Sequence, residues 1–281
     1  MEFKEQQYPL LHECILYLLK NIASFCDEHQ LSYILDFGTL LGAVRNGKII
    51  PWDDDGDIGM PRNDFEKFIE LFPKFNKNSY LDFQYYSTDP CHNVPWCRIR
   101  LKGTICLSDF HKRSNFKYKG IWVGIFPHDT SITNNPKDLM IRLNKINFWQ
   151  RVYMNKTFNR ESFKAKFFYL LTPFLTKQLA IKKINAAYKM FSKNSDDEYD
   201  VHSFLSDKKR IYLFKNDVFV NRMQIKLENS LFYCPKSYDS YLKSIYGENY
   251  IIPPSLKERV THSIVEFNVS DEVLKIIHEE K

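Results

Sequence analysis

The stretch DFGTLLGAVRNGKIIPWDDDGDIGM, residues 36–60, constrains the chain more than any other. Asp53, Asp54, Asp55 and Asp57 crowd together, yet Trp52 precedes them and Ile58, Gly59 and Met60 follow. The short apolar segment SYILDFG, 32–38, reads as a strand ending at Gly38. TLLGAVRNG, 39–47, reads as a short helix stopped by Asn46-Gly47. Beyond Pro51, Asp55, Asp57 and Gly59 alternate with Gly56, Ile58 and Met60, the pattern of a strand carrying carboxylates on one face.

This order has a chemistry. Gly38-Thr39 opens a helix after a strand, and backbone N–H groups at a helix start, beside a small hydroxyl, can hold phosphate oxygens. Arg45, one helical turn on, can neutralise a diphosphate or sit on the surface as an ordinary arginine. Asp55 and Asp57 would project to the same side and repel each other, a cost that a divalent cation removes. Mg2+ takes a few carboxylates, several waters and substrate phosphates, and Mn2+ is the close alternative. The same acidic run can also be a solvated turn, and spacing alone leaves both readings open. Trp52 can stack on a base, meet a quaternary ammonium, or buttress the acidic run from the core.

The flanks read as a mixed protein. Leu11, Ile15, Leu18, Leu19, Ile22, Phe25 and Cys26 fall at helical spacing within 8–29, with Cys14 and Cys26 on the buried face. NDFEKFIELF reads as a helix with Asn63 as N-cap and Glu66 closing a capping box. PWCRIRL, TICLSDF and IWVGIF, within 94–131, read as strands, and 136–195 as basic and helical. Within it, 163–184 is either a core helix pair broken at Pro173 or an amphipathic element touching an anionic membrane. DDEYD, 196–200, reads as an exposed loop. IYLFK and IKLENSLFYCP read as two strands, followed by a helix near SYDSYLKSIYG, a Pro-Pro turn and a final helical stretch.

With 44% hydrophobic residues and a net charge of +6, the chain can bury a core and lacks the dense positive charge of a dedicated nucleic-acid binder. MEFKEQQYPLLHE lacks the apolar segment of a secretory leader, and no apolar run approaches the roughly 20 residues that span a bilayer. The expectation is a cytoplasmic protein with reduced cysteines. The elements predict an α+β fold: one elaborated domain with a catalytic core over 1–135, a helical insertion over 136–210 and a C-terminal part, 211–281, packing back on the core.

GTLLGAVRNGKIIPWDDDGDIGMPRNDF resembles the signature of the LicD family of phosphotransferases, whose distant animal members are fukutin and fukutin-related protein. PWCRIRLKGT, IWVGIFPHD and YDSYLKSIYGENYIIPP with ERVTH resemble the family's later motifs in the same order. The resemblance implies a nucleotidyltransferase-like mixed sheet with flanking helices. It makes Gly38 and Thr39 the phosphate turn, Asp55 and Asp57 the metal ligands, and Arg45, Arg98 and Arg259 donor-phosphate contacts. It adds His262 as an acid or base, with Trp52 and Tyr250 lining the nucleotide or choline pocket.

It further implies a reaction: metal-dependent transfer of phosphocholine from CDP-choline to a sugar hydroxyl of a surface glycan or its lipid-linked precursor (teichoic acid, lipopolysaccharide or capsule). The setting would be the cytoplasm, at the inner face of the cell membrane if 163–184 is the amphipathic element and not a core helix pair. The alternatives are transfer of ribitol phosphate or glycerol phosphate from a CDP-polyol, or a catalytically degraded donor-binding homologue. That last possibility arises because Gly124 stands where the family carries a third carboxylate. Gly56 stands where the family has a larger apolar residue.

Overall fold

The computed structural model describes residues 4–279 apart from 93, 114–115, 132–134, 158–165, 168–169, 171, 190–198, 203–211, 216–217, 260 and 262. Helix α1, Tyr8–Glu28, buries the expected stripe, with Leu11, Cys14, Ile15, Leu18, Leu19, Ile22 and Cys26 fully enclosed. After the two-residue strand β1, Ile34–Leu35, helix α2 spans Phe37–Asn46. Its cap, Gly47, takes the left-handed conformation (φ 63°) that closes the last turn without a Cβ clash. Gly38 therefore lies in the first turn of the helix, not at a strand end.

Strand β2, Gly56–Pro61, leads into α3, Arg62–Phe75. The helix starts one residue before the expected cap, so Asn63 sits inside the first turn and Pro61, with no side-chain donor or acceptor, occupies the N-cap. Strands β3 (Leu81–Gln84), β4 (Cys97–Leu101) and β5 (Thr104–Ser108) precede the short helix α4 (Asp109–Arg113) and the long strand β6 (Trp122–Ser131). The main sheet has the order β1-β2-β6-β4-β3. Only the β2–β6 pair is parallel among these, with Asp57 opposite Gly124; β4 runs antiparallel to β6, with Arg98 opposite the same Gly124. The fold class is α+β.

Helices α5 (Pro136–Thr157) and α6 (Lys177–Lys189) pack on each other through Ile146, Val152, Tyr153, Ala180 and Ile184. Residues 172–176 break the helical run around Pro173, while Phe167, Leu170 and Phe174 stay exposed; 163–165, 168–169 and 171 lie outside the described residues. Among the described residues no helix is long and apolar enough to cross a membrane.

Strands β7 (Tyr199–His202) and β8 (Tyr212–Lys215) extend the sheet beyond the end of β6. Tyr199 and Asp200, expected in a loop, are thus strand residues, and 196–198 lie outside the described residues. The segment expected as one strand, IKLENSLFYCP, is a hairpin: β9 (Arg222–Leu227) and β10 (Ser230–Pro235) turn at Glu228, which has a positive φ of 55°. Helix α7 covers Tyr238–Tyr246.

The final stretch is not all helix. Strand β11 (Ile264–Val269) pairs antiparallel with β5 before α8 (Asp271–Glu279) closes the chain. The core runs continuously from Leu11 in α1 to Ile277 in α8. Gly56 faces α1, where an added Cβ would come 3.0 Å from both Ile15 and Val123, so the core has closed over the place of the larger residue.

Candidate active site

The start of α2 is tied to β2 by one backbone bond and one bond to a side-chain hydroxyl. Asp36 N–H donates to the Asp57 carbonyl (3.0 Å), and Asp57 N–H donates to the Thr39 hydroxyl (2.9 Å). Asp36 is wholly buried and caps the helix by accepting from Phe37 N–H at 2.9 Å. Its other oxygen meets His128 Nε2 at 2.9 Å, and Tyr241 donates its hydroxyl to the same carboxylate. Phe37 takes a positive φ of 40°, a backbone strain of roughly 1–3 kcal/mol held in place by this capping and by its ring lying edge-on to Phe126.

A cleft of about 570 Å3 opens beside this turn. Of the residues singled out in the sequence, Gly38, Arg45, Trp52, Asp57 and Tyr250 line it. Asp53, Asp54 and Tyr246 line it too. The two aspartates belong to the same acidic run. Gly38 has a steric reason to be glycine, because a Cβ there would fall 2.6 Å from Asp53 Oδ2.

Carboxylate oxygens of Asp53, Asp54 and Asp55 come within 4.8 Å of one another. Burial, then Asp55, Asp53, Asp36 and Asp54, push the Asp57 carboxyl well above the usual carboxylate range. Tyr246, though 42% exposed overall, has its hydroxyl raised likewise, by local desolvation and then by Asp57. Such a group of hard oxygen donors under mutual repulsion fits a divalent cation of the Mg2+ or Mn2+ type.

Other predicted site residues sit elsewhere. Thr39 is 2% exposed and does not line the cleft; its hydroxyl holds β2 rather than facing a phosphate. Asp55 is 7% exposed and also off the cleft wall; with Asp89 it supports the charge of Arg98, which burial lowers to about 10. Arg98 is buried on β4, its guanidinium 4.8 Å from the Trp122 ring centre, and so lies beneath the acidic run instead of in the donor cleft. Arg45 spends its N–H groups on backbone, donating to the carbonyls of Tyr250 and Ile252. It lines the cleft while fastening the 250–252 loop. Arg259 stacks on Trp52 at 3.8 Å and lines a neighbouring cleft. His262 lies outside the described residues.

Gly124 explains how the fold manages without a carboxylate at that point. An added Cβ would meet the Phe126 ring at 2.6 and 2.9 Å and Trp122 at 3.3 Å. Phe126 in turn stacks on Trp96 at 5.2 Å. Aromatic rings fill the room a third acid would take.

Residues 30–158 match the family model described as LicD/FKTN/FKRP, nucleotidyltransferase domain. The chain is 35% identical over 72 residues to the lipopolysaccharide cholinephosphotransferase LicD of Haemophilus influenzae, covering 26% of this chain and 25% of that protein. It is 40% identical over 63 residues to an uncharacterized protein of Rickettsia typhi, covering 22% of this chain and 20% of that one. The matched stretches thus span a quarter or less of those relatives' length.

Proposed function

We propose that the chain transfers phosphocholine from CDP-choline to a sugar hydroxyl of a surface glycan or its lipid-linked precursor, in a metal-dependent reaction at the cytoplasmic face of a membrane. The observation that carries this reading is the cleft itself, where Asp53, Asp54 and Asp57 face the first turn of α2 within a LicD-family domain.

Asp57, with Asp55, Asp53 and Asp54, would hold Mg2+ or Mn2+, which would neutralise the acids and the donor diphosphate. The N–H of Gly38, in the first turn of α2 on the cleft wall, would orient the phosphates. The Arg45 guanidinium leaves positive charge on the same wall. The acceptor oxygen would attack the distal phosphorus in line, cytidine monophosphate would leave, and the hydroxyl proton would pass to a carboxylate of this set. Tyr246 and Tyr250 supply aromatic walls for a quaternary ammonium. Trp52 offers less, since Arg259 already occupies one of its faces.

Gly124 supports a second reading, a donor-binding homologue that does not turn over, because the room of the third carboxylate is filled by Phe126. Calorimetry of CDP-choline with Mg2+, against CDP-ribitol and CDP-glycerol, tests both together with release of cytidine monophosphate. Metal-dependent binding of the choline donor with product release is the expected result. Binding without release selects the non-catalytic reading. Preference for a CDP-polyol overturns the choline assignment.

A further inference from the structure

A second cleft, of about 790 Å3, adjoins the acidic one, and Trp52 lines both. Its floor comes from the start of α1 and from the β9–β10 turn, two parts of the chain that the acidic cleft does not use. The common wall continues into Asp53, whose carbonyl oxygen lies 2.9 Å from His12 Nε2. A ligand in the second cleft is therefore one side chain away from the acids that face the donor.

The two clefts differ in charge. The acidic cleft sets Asp53, Asp54, Asp57 and Glu258 against Arg45. The second sets Glu5, Glu13 and Glu228 against Lys48 and Arg259, with the imidazole of His12 held toward its neutral form by burial. Near-balanced charge gives little pull on a free anion or cation. What the second cleft does offer is short-range: carboxylates to accept, Asn229 and the Tyr8 hydroxyl to donate or accept, and flat apolar surface on Tyr8 and Trp52. The Nε of Arg259 is buried beside Trp52 with no hydrogen-bond partner, a donor left over for a ligand. Dense paired donors and acceptors beside apolar rings match the hydroxyls and C–H faces of a pyranose ring.

We infer that this second cleft binds the acceptor as a hydroxyl-rich sugar, presenting one hydroxyl past Trp52 to the donor in the acidic cleft. The inference rests on the transfer reaction proposed above for its word acceptor; the sugar site itself rests on the cleft.

The test is photo-crosslinking with octyl glucoside, galactoside and N-acetylglucosaminide bearing a diazirine, in the presence of CDP-choline and Mg2+, followed by peptide mapping. The expected label falls on residues 8–16 and 228–229, is competed by the parent glycoside and survives excess cytidine monophosphate. Asn229→Trp, at an exposed turn position, should cut the label at least tenfold by filling the cleft, and Glu13→Gln should weaken it several-fold. Calorimetric binding of CDP-choline, unchanged in both variants, shows that they are folded. Label displaced by cytidine monophosphate, label confined to the acidic cleft, or no saturable label at 8–16 and 228–229 overturns the inference. Loss of CDP-choline binding in the wild type with the glycoside label intact refutes the donor assignment instead and leaves the sugar site standing.

Discussion

Replacing Gly38 by alanine separates the chemistry of the acidic cleft from its stability. The new Cβ would lie 2.6 Å from Asp53 Oδ2 and 3.5 Å from Cγ. An ordinary carbon–oxygen contact needs about 3.4 Å, so the carboxylate must retreat by roughly 0.8 Å. Gly38 is helical with no positive φ, so alanine suits its backbone. Helix propensity then contributes up to about 1 kcal/mol in favour of the variant. Displacing a positioned group by about 1 Å costs on the order of 100-fold in rate. The expected result is a 30- to 100-fold fall in release of cytidine monophosphate from CDP-choline, at an unfolding temperature equal to or above that of the parent. Gly42→Ala is the contrast. Its Cβ would fall 2.5 Å from the Lys48 carbonyl oxygen, which is backbone and cannot swing away. That variant should lose about 1–3 kcal/mol of stability. Full activity in Gly38→Ala would refute the argument that Asp53 must sit against a bare Cα for the site to work.

Asp57→Asn removes a charge that its neighbours repel, so the metal-free protein should unfold at a higher temperature while Mg2+-dependent donor binding is lost and turnover falls about 10²–10³-fold; scanning calorimetry and titration read both. Gly124→Asp should lower stability by about 1–3 kcal/mol, because the Phe126 ring must leave its stack on Trp96, and chemical denaturation measures it. Acid should destabilise the fold through two buried histidines: burial lowers His92 to about 3 and His128 well below its ordinary value. Their unfolded forms bind protons first, so stability is present above about pH 6.5 and falls below it by roughly 1.4 kcal/mol per unit for each. Asp57, raised in the fold, acts in the opposite sense. His92→Gln should therefore flatten the fall between pH 6 and 4 by about 1.4 kcal/mol per unit, and an unchanged slope would exclude His92 as its source.

What the sequence by itself determined is local. The apolar stripe of α1 and the Gly47 stop of α2 each follow from neighbours within a few residues, and the structure keeps them. The acidic run was legible because four carboxylates between Trp52 and Ile58 stand out in any context. What the tertiary structure decided depends on which faces meet. Nothing near β11 announces its pairing with β5, since the hydrogen-bond partners, Thr104–Ser108, lie far away in sequence. Local alternation placed Asp55 with Asp57; packing gathered the Asp55 carboxylate with those of Asp53 and Asp54 and brought Asp53 against Gly38. Asp36 lies in a segment that reads as a strand; its role as the cap of α2 and its bonds to His128 and Tyr241 exist only because β6 and α7 converge on it. Periodicity tells a residue whether it faces inward. What it meets there is set by long-range packing, because close-packed interiors admit one neighbour at each contact and local sequence does not name it.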